Sequence, residues 1–84
     1  MTNHFRKDLD ALGQNIRTIR EKKGLSQESL SFKADLHRTY LSQLESGQRN
    51  PSYTTLLKLA NALSVSIFEL INGGIKESDI ENQE

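Results

Sequence analysis

LSQESLSFKADLHRTYLSQLESGQRNP, residues 25–51, holds two short helical patterns separated by Ala34, Asp35 and Leu36. Plotted from Arg38 at 100° per residue, the second pattern puts Arg38, Ser42, Ser46, Thr39 and Gln43 at roughly 0°, 40°, 80°, 100° and 140°. That stripe is polar throughout, whereas Leu41 and Leu44 fall at roughly 300° and 240° on the opposite side. The helix is therefore expected to bury one face and to present donors and acceptors on the other. Such a face suits base edges: arginine forks onto guanine, glutamine pairs with adenine, and serine or threonine serves either. Arg38, Thr39, Ser42 and Gln43 are accordingly the candidate base contacts, with Tyr40 at the flank of the stripe and Ser46 at its C-terminal end assigned to the sugar-phosphate backbone.

The pattern before the break opens on clear signals. Ser26 is a good N-cap, and Leu25 ahead of it with Leu30 four residues inside the helix fits a hydrophobic staple. Two short helices joined by so tight a turn, the second with a polar outer stripe, describe a helix-turn-helix whose second helix enters the major groove. Gln27 at the start of the first of them, helped by the free amides there, and Arg49 and Asn50 in the loop after Gly47 are placed to hold phosphates, which fixes register without reading sequence. His37, at the N-cap of the second helix, is a mediocre cap and is assigned to the DNA backbone or solvent.

Three runs of residues carry a resemblance: Leu25-Ser26-Gln27-Glu28-Ser29-Leu30, Leu36 through Gly47, and Arg49-Asn50-Pro51-Ser52. Together they resemble the lambda repressor and Cro-like (XRE-type) helix-turn-helix family, over roughly residues 12–73. The His-Arg-Thr-Tyr and Arg-Asn-Pro-Ser runs are most similar to restriction-modification controller proteins. The resemblance implies an all-α, five-helix domain and a largely buried structural ion pair between Arg20 and Glu45. It further implies a homodimer that activates its own operon and later represses it, with Glu28 at the acidic position offered to RNA polymerase. Ser31 and Asp35 depart from the family's usual alanine and glycine. Aspartate tolerates the positive φ required at that turn better than most residues.

The rest of the chain fits one small domain. Asp8 is read as the cap of a first helix running to about Lys22, with Leu9, Leu12, Ile16 and Ile19 on its inner stripe and Gly24 as its stop. Arg17, Arg20, Lys22 and Lys23 gather at its C-terminal end, where cations suit the macrodipole. Ser52 caps a fourth helix whose inner stripe is Leu56, Leu59, Ala60 and Leu63, with Leu57 to one side. Ser66 caps a short fifth helix over residues 67–72, apolar nearly all round. A domain this small has one core, so Leu57, Phe68 and Ile71 are assigned to a two-fold interface. Residues 1–7 are read as a flexible N-terminus, 8–73 as the domain, and 74–84 as an acidic, disordered tail.

Formal net charge is zero over the 84 residues, but unevenly so. Residues 1–72 hold ten Lys or Arg against seven acids, and the remainder holds Lys76 against Glu77, Asp79, Glu81 and Glu84. A phosphate field is felt over about 8–10 Å, so the mildly basic body counts for more than the total. There is no cysteine, which removes disulfides and thiolate chemistry. Two isolated histidines make no metal site, and no cofactor is expected. No nucleophile elbow or phosphate loop appears, so an enzyme is not expected. No apolar run is long enough to span a membrane, which points to a soluble, cytoplasmic protein acting on double-stranded DNA. A phage-type repressor, or an antitoxin or adaptor using the fold to hold a protein partner, remains open beside the controller.

Overall fold

The computed structural model describes residues 4–73. They form five helices: α1 (Arg6–Lys22), α2 (Gln27–Ala34), α3 (Arg38–Glu45), α4 (Tyr53–Leu63) and α5 (Ile67–Ile71). Three serine caps set helix starts by the same chemistry. The Oγ atoms of Ser26, Ser52 and Ser66 accept from the backbone N–H of Ser29, Thr55 and Glu69 at 3.0, 3.2 and 3.0 Å, each satisfying one amide that the helix leaves open. Left-handed residues end them. Asp35 (φ 56°) closes α2, where Leu36 N–H then reaches back to Ser31 O at 2.8 Å, and Gly47 (φ 78°) turns the chain out of α3.

α1 departs from its expected start. It begins at Arg6 with Phe5 at the N-cap and no side-chain cap, so Asp8 lies in the first turn instead of before it. An acid there still favours the positive end of the helix, and Arg6 Nε donates to Asp10 Oδ1 at 3.1 Å one turn on. Arg6 and Lys7 therefore belong to the helix and not to a preceding arm. Residues 1–3 and the acidic tail, 74–84, lie outside the described residues.

The core gathers Ile16 and Ile19 from α1, Leu30 and Ala34 from α2, Leu41 and Leu44 from α3, Leu59, Ala60 and Leu63 from α4, and Leu70 from α5. Leu12, Leu25, Leu36 and Leu56 pack around it. Leu9, placed on the α1 stripe by its spacing, is only half-buried because the helix has run past the core by that turn. α3 lies against both α1 and α2, and α5 against α1 and α4. Asn15 Nδ2 ties the end of α5 down by donating to Ile71 O at 2.7 Å.

Candidate nucleic-acid interface

α3 divides by face as its spacing dictates. Leu41 and Leu44 are fully buried and Glu45 nearly so, whereas Arg38, Thr39, Ser42 and Ser46 are exposed and Gln43 is half-buried. Arg38, Thr39, Ser42 and Gln43 line one open recess, joined by Gln48 from the loop. Gln48 carried no signal in the sequence. It arrives there because Gly47 turns the chain back, and Gln48 N–H closes on Gln43 O at 2.9 Å. Its side chain donates to Ser46 Oγ at 2.9 Å, and that hydroxyl donates to the Ser42 and Gln43 carbonyls, both at 3.1 Å. Ser46 thus finishes the helix while staying at its exposed edge.

The loop returns Arg49 over α3. Its Nε donates to Gln43 Oε1 at 2.9 Å, and its guanidinium carbon lies 5.5 Å from the centroid of the Tyr40 ring, within the range of a cation–π contact. Tyr40 itself leans on the core. Arg49, Gln43 and Tyr40, assigned separately from the sequence, are one cluster. His37 and Asn50 are exposed at either end of this face, and His37 makes no cap hydrogen bond.

A polar network lies behind the stripe. Arg20 Nε and its terminal NH2 group donate to the two oxygens of Glu45 at 2.7 and 2.9 Å, and the other terminal nitrogen donates to Leu25 O at 2.8 Å. Gln27 Nε2 donates to Glu45 Oε1 at 3.0 Å. The glutamate of α3 is therefore held by α1 and α2 at once, in the bidentate geometry that makes such pairs strong. Hydrogen bonding to Glu45 raises the Arg20 pKa against the opposing effect of burial. A raised value means that the contribution of the Arg20 charge is fully present below the ordinary arginine range and is lost only as pH rises through it. Gln27 spends one donor in this network, which makes it part of the support of α3 as well as a residue at its edge. Gln14 and Arg17 of α1 border a second recess, beside the first, with Gln27, Ser42, Glu45 and Ser46. The sequence had given Arg17 only a place at the basic end of α1, and Gln14 none.

Gly13 sets how near α3 comes. A Cβ there would meet the backbone of α3, with Glu45 O at 2.6 Å and Glu45 C at 2.8 Å, and the Leu44 carbonyl oxygen nearer still. No heavier residue permits this approach. The sequence offered one sign, a glycine in mid-helix where alanine is intrinsically better.

Of the three residues assigned to a two-fold interface, Leu57 and Ile71 are 42% and 49% exposed and Phe68 is half-buried. Ile71 also borders an apolar recess with Leu9, Leu12 and Leu56, which Leu57 does not join. Glu28 stands on the outer face of α2 beside Phe32, 86% exposed. Among the described residues no cluster of His, Cys, Asp or Glu has the makings of a metal site, and no helix is long and apolar enough to cross a membrane.

Comparison with known proteins agrees with this geometry. The helix-turn-helix family profile matches residues 16–70. Control protein C.BamHI of Bacillus amyloliquefaciens is 44% identical over 73 residues, 86% of each chain. Control protein C.SmaI of Serratia marcescens is 40% identical over 62 residues, 74% of each. The crystal structure of the restriction-modification controller protein C.AhdI from Aeromonas hydrophila superposes with a TM-score of 0.75 at 48% identity, covering 76% of this chain and 97% of that one.

Proposed function

The chain belongs to the helix-turn-helix family, and on that premise we propose that it is the homodimeric controller of a restriction-modification operon, acting in the cytoplasm on a pseudo-palindromic operator. The observation that carries this reading is the exposed stripe of α3, Arg38, Thr39, Ser42 and Gln43, on a helix whose other face is sealed into the core. Residues 8–73 would form the DNA-binding unit. Two copies would set their α3 helices into successive major grooves about 34 Å apart. Gln27, His37, Tyr40, Ser46, Arg49 and Asn50 would rest on the backbone on either side. A footprint over the DNA immediately upstream of the protein's own gene tests the reading; a random scatter of protection across that region would refute it.

Arg38→Ala is expected to weaken operator binding by about 1–3 kcal/mol and to relax preference at one base pair per half-site. Titration of operator and random duplex side by side checks it, since equal losses on both would remove Arg38 from base reading. For the dimer, Leu57 of α4 with Phe68 and Ile71 of α5 would supply the apolar contact. Ile71→Asp places a charge on it at a half-exposed position where folding is spared, so sedimentation should find monomer at concentrations where the parent protein is dimeric. An unchanged mass would move the interface elsewhere.

Activation would pass through Glu28 to RNA polymerase. Glu28→Ala should keep operator affinity and lose transcriptional activation in a reporter strain; activation that survives the change would leave Glu28 as a solvated helix-start acid that favours the dipole.

A further inference from the structure

Resting on the DNA-reading role proposed above, the geometry points to Arg49 as a positioning residue that makes Gln43 a hydrogen-bond donor, and not a paired donor and acceptor, toward the operator. A glutamine amide carries two N–H donors and one accepting oxygen. To read adenine in the bidentate manner it must offer both ends to the same base edge. Here the oxygen, though it keeps a second lone pair, is turned toward the loop: Arg49 Nε–H reaches Gln43 Oε1 at 2.9 Å with a full charge behind the donor.

Three anchors hold that arrangement in place before DNA arrives. Gly47, at φ 78°, reverses the chain after α3, and Gln48 N–H closes the turn on the carbonyl of Gln43 itself. The Arg49 guanidinium lies over the Tyr40 ring, and Tyr40 is packed against the core. With its oxygen turned to the loop, the amide leaves its NH2 group for the recess it shares with Arg38, Thr39 and Ser42. A donor so aimed selects the acceptors of the major groove, guanine O6 and N7 or thymine O4, and meets the N4 amino group of cytosine unfavourably. Adenine loses the second bond that would set it apart. Fixing the amide in the free protein also removes an ordering cost from binding. The remaining N–H groups of Arg49 stay available to phosphate, so one side chain both attracts the duplex and decides what its neighbour reads.

Selection from a randomised duplex library with four proteins tests this. Gln43→Ala identifies the base pair concerned by relaxing it, and the parent protein enriches guanine or thymine there over cytosine. Arg49→Ala lowers affinity for all sequences and, at that one pair, raises the ratio of adenine to guanine on the order of tenfold as the freed amide turns. Gln43→Glu keeps the bond to Arg49 but replaces donor with acceptor, and moves the preference to cytosine. An Arg49→Ala motif with the parent's base order at that pair overturns the proposal, as does a Gln43→Ala protein that relaxes no position. Without DNA, the Arg49 Nε–H signal in nuclear magnetic resonance should exchange slowly and lose its protection in Gln43→Ala. An unprotected signal beside an intact parent motif sinks the positioning alone, whereas a parent protein that enriches no motif sinks the DNA-reading role and this proposal with it.

Discussion

Glu45→Ala is expected to cost about 3–5 kcal/mol of stability, the scale on which breaking a buried ion pair from one side is felt. The change leaves the Arg20 guanidinium buried with only the Leu25 carbonyl to bond, and Gln27 Nε2 without its acceptor. Both side chains of the pair are almost wholly buried, at 9% and 3% exposed, so the remaining charge is left largely out of water. Native domains have about 5–15 kcal/mol in all, and for one of this size each kcal/mol moves the midpoint by about 4–8 °C. A fall of more than about 12 °C in thermal unfolding is the expected result. The pair Arg17–Glu21 is the internal control. It spans 3.5 Å with both partners more than half exposed, and Arg17→Ala should stay within about 0.5 kcal/mol. If the two substitutions cost the same, the Arg20–Glu45 pair does not hold α1, α2 and α3 together. Replacing Arg20 and Glu45 together by Met and Leu should recover much of the loss, because no charge is then left behind.

Gly13→Ala should be destabilising, against the usual sign. In an exposed helix interior the same change would stabilise by about 1 kcal/mol. Here the added methyl meets carbonyl groups of α3 at 2.6 and 2.8 Å, and backbone atoms cannot rotate out of the way as a side chain can. Either α3 withdraws from α1 or it slides along it. Overpacking of this kind costs about 1–3 kcal/mol and sometimes more. The midpoint should fall by roughly 5–20 °C. Operator affinity, measured at a temperature where the variant is still folded, should fall as well, since α3 carries the stripe proposed to face DNA. A variant with a raised midpoint would show that α3 has slack against α1 and that the close approach is incidental.

Gly13 and Gln43 show where a linear reading runs out. Gly13 could be seen as an anomaly in a helix, but not which segment it made room for, because α3 lies some thirty residues further on. Gln43 could be placed on the stripe by angle. Its partner could not be found that way, since Arg49 reaches it across a reversal of the chain. Gln27 likewise read as a hand on phosphate, and that its amide also joins the support of Glu45 could not be read from the sequence.

The sequence by itself determined the kinds of element, their caps and the two faces of α3. These depend on local matters: the 3.6-residue period, a serine oxygen within reach of an amide three residues on, and a left-handed Asp35 or Gly47 that no helix continues through. Even the start of α1 slipped, since no single side chain caps it and the helix continues until its contacts fail. Only the tertiary structure decided how α3 is held and what its glutamine offers. Those follow from long side chains with several partners in reach, and which partner wins is set by segments brought together in space by the core.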